Sequence, residues 1–210
     1  MPASMSADLT ALLPTALAVA VAAALAGAAW ERWRMRERLR QPLWRDPQTG
    51  LWGRATLLDA LARELALADR QRHAVSLLML EIDDYARLSR QLGPESSAAL
   101  RLALVQRLGS RLRAHDLLGQ WSESRFLVLL PASDVGAALV LAQDLREVAA
   151  QQPLALAGQD LAVSLSAGVH GCLPGGLQRL QGRASAMAAG AERALERTLA
   201  DGPGRMAVEP

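Results

Sequence analysis

The 210-residue chain contains no lysine and no asparagine, a single isoleucine (Ile82) and a single cysteine (Cys172). Each absence excludes some chemistry. Without lysine there is no Schiff base, no Walker A phosphate loop and no kinase-type strand lysine. One cysteine makes neither an intrachain disulfide nor a multi-cysteine metal site. The three histidines, His73, His115 and His170, are widely spaced and show no metal-ligand pattern. No nucleophile elbow marks a Ser/His/Asp triad. Aromatic residues make up only 3% of the chain. Lysine, asparagine and isoleucine share AT-rich codons, so their scarcity points to a GC-rich genome.

All 23 basic residues are therefore arginine. The net charge of +2 is unevenly spread. Residues 1–30 carry only Asp8; residues 31–40 carry five arginines and two glutamates; the rest sums to zero. A neutral domain with few aromatics is a poor nucleic-acid binder, because phosphate contacts need a concentrated basic face.

From Ala11 to Trp30 no charged residue occurs. As a helix this stretch spans about 30 Å, the thickness of a bilayer core. Trp30 and Trp33 stand where interfacial aromatics lie, and Arg32, Arg34, Arg36, Arg38 and Arg40 follow. Basic residues stay on the cytoplasmic side, so residues 1–10 face outward and everything after residue 31 lies inside. A cleaved signal peptide would carry its positive charge before the apolar run, whereas here Asp8 precedes it and the arginines follow. A buried soluble helix would show a polar face. Residues 31–45 read as an Arg-rich linker helix broken at Pro42, and the folded domain is expected over 46–210.

Within that domain the apolar spacing predicts a helix at 55–70 and a doubly buried strand at 75–82. A long amphipathic helix is expected at 96–113. Two short apolar runs, 117–121 and 126–130, suggest a hairpin. Then come a helix at 135–150, a strand at 161–169, a helix at 177–199 and a final strand at 206–208. Strands alternating with helices around a central hairpin predict an α/β fold with a mixed sheet.

Four segments carry a family resemblance. Asp46-Pro47-Gln48-Thr49-Gly50-Leu51-Trp52-Gly53-Arg54 resembles the DPLTGLxNR opening of GGDEF (diguanylate cyclase) domains. Leu80-Glu81-Ile82-Asp83-Asp84-Tyr85 is similar to their LDIDxFK strand end, Ser166-Ala167-Gly168-Val169 to their SIGV strand, and Leu129-Leu130-Pro131 to the segment after their signature hairpin. The resemblance covers residues 46–208. It implies a nucleotide-cyclase-like mixed central sheet flanked by helices, here preceded by one transmembrane helix. Together with the apolar run at 11–30 and the arginines after it, a bacterial inner-membrane protein is expected, single-pass, with its C-terminal domain in the cytoplasm.

Such domains condense two GTP molecules into cyclic di-GMP across a dimer, with carboxylate-held Mg²⁺ activating the attacking hydroxyl. By the resemblance, the signature Gly-Gly-Asp-Glu-Phe falls on Ser122-Glu123-Ser124-Arg125-Phe126. Side chains at Ser122 and Glu123 fill space that glycine leaves for the nucleotide. Ser124 replaces a metal carboxylate and Arg125 the catalytic acid. Glu81 and Asp83 stand at the two strand-end acids. The guanine-reading positions fall on Ser89 and Ala98, and the phosphate-binding lysines on Ala86 and Leu199. Base reading, phosphate binding, metal ligation and general base are all altered, so no catalytic residue and no metal site is expected. Two placements of Arg125 are open: it pairs with Glu81 and Asp83 in place of Mg²⁺, or it points into solvent.

One regulatory motif survives. Arg113-Ala114-His115-Asp116 stands where relatives carry an inhibitory Arg-x-x-Asp site that binds cyclic di-GMP. The resemblance implies that Arg113 and Asp116 hold this ligand, with Arg146 near the position of an additional arginine, which itself falls on Asp144. The competing reading is structural, with Arg113 ending a helix and Asp116 opening a turn. Three functions follow. The first is a membrane-tethered, non-enzymatic cyclic di-GMP receptor, with that molecule as ligand and no cofactor. The second is a ligand-free scaffold docking a secretion, pilus or exopolysaccharide (cellulose) export component. The third, an active cyclase, is disfavoured by the hairpin. A homodimer is compatible with all three.

Overall fold

Strand β1 (Val75–Ile82) has no polar face to offer water. Leu77, Leu78, Met79 and Leu80 are all fully buried, and each such side chain stabilises by about 1.5–3 kcal/mol. A strand of this kind must sit mid-sheet with helices on both sides. The computed structural model describes residues 45–46, 49–151, 153–156, 158–173, 180–200 and 202–209, all within a unit spanning Leu43–Pro210. The expected span at 11–30 and most of the linker at 31–45 lie outside the described residues. Among the described residues no helix is long and apolar enough to cross a membrane.

Five strands form the main sheet in the order β2-β3-β1-β6-β7. The others are β2 (Leu117–Gln120), β3 (Arg125–Pro131), β6 (Leu165–Cys172) and β7 (Met206–Glu209). Strand β1 pairs antiparallel with β3 and β6, and β7 joins β6 in parallel, so the sheet is mixed as expected. The helices are α1 (Arg54–Gln71), α2 (Tyr85–Gly109), α3 (Val135–Gln151) and α4 (Leu180–Ala200). Side chains alternate across the strands. Leu78, Leu80 and Ile82 of β1, with Phe126, Val128 and Leu130 of β3, face α2 and α3. Val75, Leu77 and Met79, with Leu127 and Leu129, face α1 and α4.

Three departures from the sequence-based expectation have local causes. Helix α2 begins at Tyr85 rather than 96, and it kinks where Gly93 adopts φ 76° just before Pro94. It ends at Gly109, four residues short of 113, and the chain continues through turns at Ser110–Leu112. The apolar stripe runs past the helix because Leu112 still packs on the core. The strand expected at 161–169 lies at Leu165–Cys172 instead; the residues before it belong to a separate hairpin of β4 (Leu154–Leu156) and β5 (Gln159–Leu161).

The opening motif folds as a turn. Asp46 Oδ1 accepts bonds from the Thr49 amide (2.7 Å) and hydroxyl (2.8 Å), and Gly50 takes φ 70°. This turn delivers Trp52 to the outer edge of β2, where its carbonyl receives the Gln120 amide at 2.8 Å.

Two predictions come from the α4 side of the sheet. A Cβ on Gly168 would lie 2.3 Å from the Leu195 amide nitrogen and 2.4 Å from the Ala191 carbonyl. Backbone cannot yield as a side chain does, so Gly168→Ala should cost about 2–3 kcal/mol, read by chemical denaturation. His170 is half-buried, its Nδ1 3.0 Å from the Glu209 carbonyl. Burial, aided by the nearby Arg193 charge, holds its pKa below the ordinary 6.5. As pH falls below about 6.5 the unfolded chain takes up this proton before the folded one, so stability is full above that pH and declines below it. The melting temperature should drop from pH 7 to pH 5, and His170→Gln should flatten that drop.

Candidate functional site

The β1–β3 register sets Glu81 directly opposite Arg125. Directly opposed residues on one face of an antiparallel pair have neighbouring Cβ atoms. Arg125 Nε donates to Glu81 Oε2 at 2.8 Å, and Ser124 Oγ donates to Glu81 Oε1 at 3.2 Å. Both charged side chains are about four-fifths buried. The arginine thus lies along the sheet rather than in solvent.

Asp83 behaves differently from expectation. It does not meet Arg125. Its Oδ1 accepts from Ser166 Oγ at 2.6 Å, and its Oδ2 from Ser164 Oγ at 2.5 Å and the Gly204 amide at 2.8 Å. The carboxylate ties the end of β1 to the start of β6 and to the turn before β7. The reason is geometric: one residue past Ile82 the chain has left the β3 register and turned towards β6, where two serine hydroxyls await.

The hairpin tip is fastened a second time. Glu123 accepts from the Tyr85 hydroxyl (3.4 Å) and from Arg101 Nη1 (3.3 Å), and Arg101 Nη1 donates to the Tyr85 oxygen at 2.6 Å. Burial pushes the Tyr85 phenol above its usual pKa, so it stays a proton donor. Ser122 closes the tip, its amide bonding the Arg125 carbonyl at 3.1 Å. Behind the tip, Trp121 Nε1 donates to Glu192 of α4 at 2.6 Å, and Arg54 covers its ring.

Beside these groups lies a cavity of about 320 Å³ lined by Glu81, Asp83, Asp84, Ala86, Ser124 and Leu199, among others. Three carboxylates line it, and among the described residues no cation does. A divalent ion fits this donor set poorly. Each carboxylate that would hold it is already engaged, Glu81 by a guanidinium of the same sign as the ion. Among the described residues no group of three or more His, Cys, Asp and Glu side chains is arranged to hold a metal.

The Arg-x-x-Asp segment forms a second recess of about 60 Å³, lined by Arg111, Arg113, Asp116, Leu130, Ser133, Ala137 and Leu141. Arg113 lies beyond the end of α2, so it does not complement that helix dipole. The Arg113 amide donates to Asp116 Oδ2 at 2.8 Å, and the Asp116 amide to the Arg113 carbonyl at 3.0 Å. Asp116 Oδ1 receives no hydrogen bond, although only 3% of the side chain is exposed. His115 Nε2 stands 3.8 Å from it. Among the described residues this is the buried side-chain oxygen without a partner.

Arg146 does not join this recess. Its guanidinium bonds the Leu165 carbonyl (3.1 Å), Gln143 Oε1 (2.8 Å) and the Gly204 carbonyl. Arg111, which the sequence reading passed over, lines the recess instead. Its Nε and Nη2 grip Asp144 at 2.9 and 2.6 Å. Those hydrogen bonds hold the Asp144 carboxyl below the ordinary carboxylate range. The available signal was an acid standing at an expected arginine position, with an extra arginine two residues before Arg113.

A mixed sheet whose central antiparallel pair ends in acids beside a hairpin tip defines an α/β domain of the nucleotide-cyclase class. The family model for the diguanylate cyclase GGDEF domain matches residues 43–202, and the chain belongs to that family. The diguanylate cyclase DgcP of Pseudomonas aeruginosa is 32% identical over 130 residues, which are 62% of this chain and 19% of that protein. The chain thus spans about a fifth of that relative's length. Diguanylate cyclase SiaD, solved with its activator SiaC from the same organism, superposes with TM-score 0.72 at 23% identity over 97% of this chain and 76% of that one. The GGDEF domain of DgcB from Caulobacter crescentus, solved with c-di-GMP, gives TM-score 0.72 at 18% identity, covering 81% and 98%.

If Arg125 takes the place of a metal at Glu81, millimolar Mg²⁺ or Mn²⁺ leaves the melting temperature unchanged. Arg125→Ala strands a mostly buried carboxylate and should destabilise by about 1–2 kcal/mol, discounted for the exposure that remains. A rise in melting temperature with either metal in the wild-type protein would refute the substitution.

Proposed function

We propose that this chain is a non-catalytic GGDEF-domain protein that binds cyclic di-GMP at the Arg-x-x-Asp recess and acts as a membrane-tethered receptor. The observation that carries this reading is Asp116 Oδ1, a buried acceptor without a donor. Leaving such an oxygen unsatisfied costs about 1–3 kcal/mol, a cost that a ligand N–H removes on binding. Guanine offers adjacent N–H donors to a carboxylate, and its O6 and N7 take a guanidinium fork. Arg113 lies at the rim to supply that fork. A recess of about 60 Å³ takes the edge of one base, with the rest of the dinucleotide lying across the exposed arginines.

The same reading accounts for the altered hairpin. Glu81 is held by Arg125, Asp83 serves the sheet, and the cavity walls carry Ala86 and Leu199 instead of cations. A domain arranged in this way condenses no GTP. The tether is the apolar run at 11–30, which sets the receptor on the cytoplasmic face of the inner membrane.

A second reading, a ligand-free scaffold, is favoured by one observation. An apolar recess of about 260 Å³ opens beside the edge strand, between Trp52, Leu57, Ala60 and Leu117. That surface suits a protein partner such as an export component. The related SiaD was solved with a protein activator, which makes partner docking a natural use of the fold.

Titration calorimetry of the full chain in detergent with cyclic di-GMP separates the two. The receptor reading expects binding that Arg113→Ala weakens at least about tenfold, or roughly 1.4 kcal/mol, and that Asp116→Asn also weakens. No heat from the wild type rejects the receptor and leaves the scaffold.

A further inference from the structure

We infer that Arg111 supplies the second guanidinium of the recess and that Asp144 is its positioning residue. The inference rests on the receptor reading and names the residues of this chain that complete its site. Three observations carry it. First, Arg111 and Arg113 line one recess together with Asp116, the residue that carries the unpartnered buried oxygen. Second, Arg146, the other arginine near this part of α3, is committed to two backbone carbonyls and Gln143, so it cannot reach across without breaking three bonds. Third, Arg111 is oriented and yet available. Its bidentate grip on Asp144 uses Nε and one hydrogen of Nη2. A guanidinium has five N–H donors, so three remain for a ligand.

The pairing also solves an electrostatic problem. A bare Asp144 carboxylate at the rim would repel a phosphodiester. Paired with Arg111 it becomes a neutral unit that still offers donors on its open side. The long, flexible arginine side chain is held in one plane before ligand arrives, which lowers the entropy lost on binding. Arg113 supplies one fork and Arg111 another, while Asp116 accepts from the base. The arrangement suits a ligand with acceptor oxygens flanking a ring edge that carries N–H groups, which describes guanine joined to a phosphodiester. It suits adenine less well, since the adenine ring edge presents a bare nitrogen where guanine has an N–H.

Calorimetry of the full chain in detergent, with cyclic di-GMP as the probe, tests the assignment through substitutions at Arg111 and Asp144. Arg111→Ala should weaken binding by roughly tenfold or more, as expected for losing a charged hydrogen bond to a ligand. Arg111→Lys should fail to restore it, because a point charge does not reproduce the fork. Asp144→Ala should weaken binding by less than Arg111→Ala and should add nothing when combined with it, the signature of a residue acting through its partner. The exchange Arg111→Asp with Asp144→Arg keeps a guanidinium at the rim and should recover most of the affinity. An exposed ion pair contributes little to stability, so melting temperatures should stay near wild type and affinity alone should move. If Arg111→Ala binds like wild type while Arg113→Ala does not, Arg111 is a bystander and this inference falls while the receptor reading stands. If the wild type itself does not bind, both fall.

Discussion

Everything at the candidate site depends on the antiparallel register between β1 and β3. That register follows from two strands buried on both faces, where a slip of one residue would turn a row of leucines against the wrong helices. Once Leu80 is paired with Phe126, the next pair is fixed as Glu81 with Arg125. The core therefore decides which charges meet at the end of the sheet. An arginine introduced at that point has a carboxylate opposite it before any ligand is considered.

The two acids at the end of β1 show how far neighbours in sequence can diverge in role. Glu81 points along the α1–α4 face into the hairpin and is neutralised by a guanidinium. Asp83 leaves the strand and is absorbed by two serines and a backbone amide. The retention of an acid is thus separate from the retention of its chemistry. In this chain Asp83 has enough to do holding β6 and the β7 turn in place.

Much of the architecture was legible in the sequence because the strongest signals were periodic. The run Val75–Ile82 reads as a doubly buried strand and the stripe through Leu57, Leu61 and Leu65 as a helix face, and both are so. The β4–β5 hairpin was illegible, being three residues a side and largely exposed. The start of α2 was hidden behind Gly93-Pro94, which reads as a stop and is in fact a kink. At the site, the sequence left Arg125 either paired with Glu81 and Asp83 or in solvent, and the strand register decides for Glu81 alone. The partners of Asp83 lie 81 to 121 residues away, and no local pattern announces them. Arg146 was misplaced for the same reason: proximity in sequence to Asp144 says nothing about carbonyls supplied by Leu165 and Gly204. The surviving recess takes its second arginine from the other side of the ion pair.

The hairpin between β2 and β3 has a mechanical consequence. Its tip is fastened to β1 through Arg125, to α2 through Glu123, and to α4 through Trp121. These attachments span both faces of the sheet, so the hairpin behaves as a strut across the domain. A load applied at its tip is shared at once between helices that pack on opposite faces of the sheet. Whatever leans on that edge of the molecule pushes on the whole sandwich.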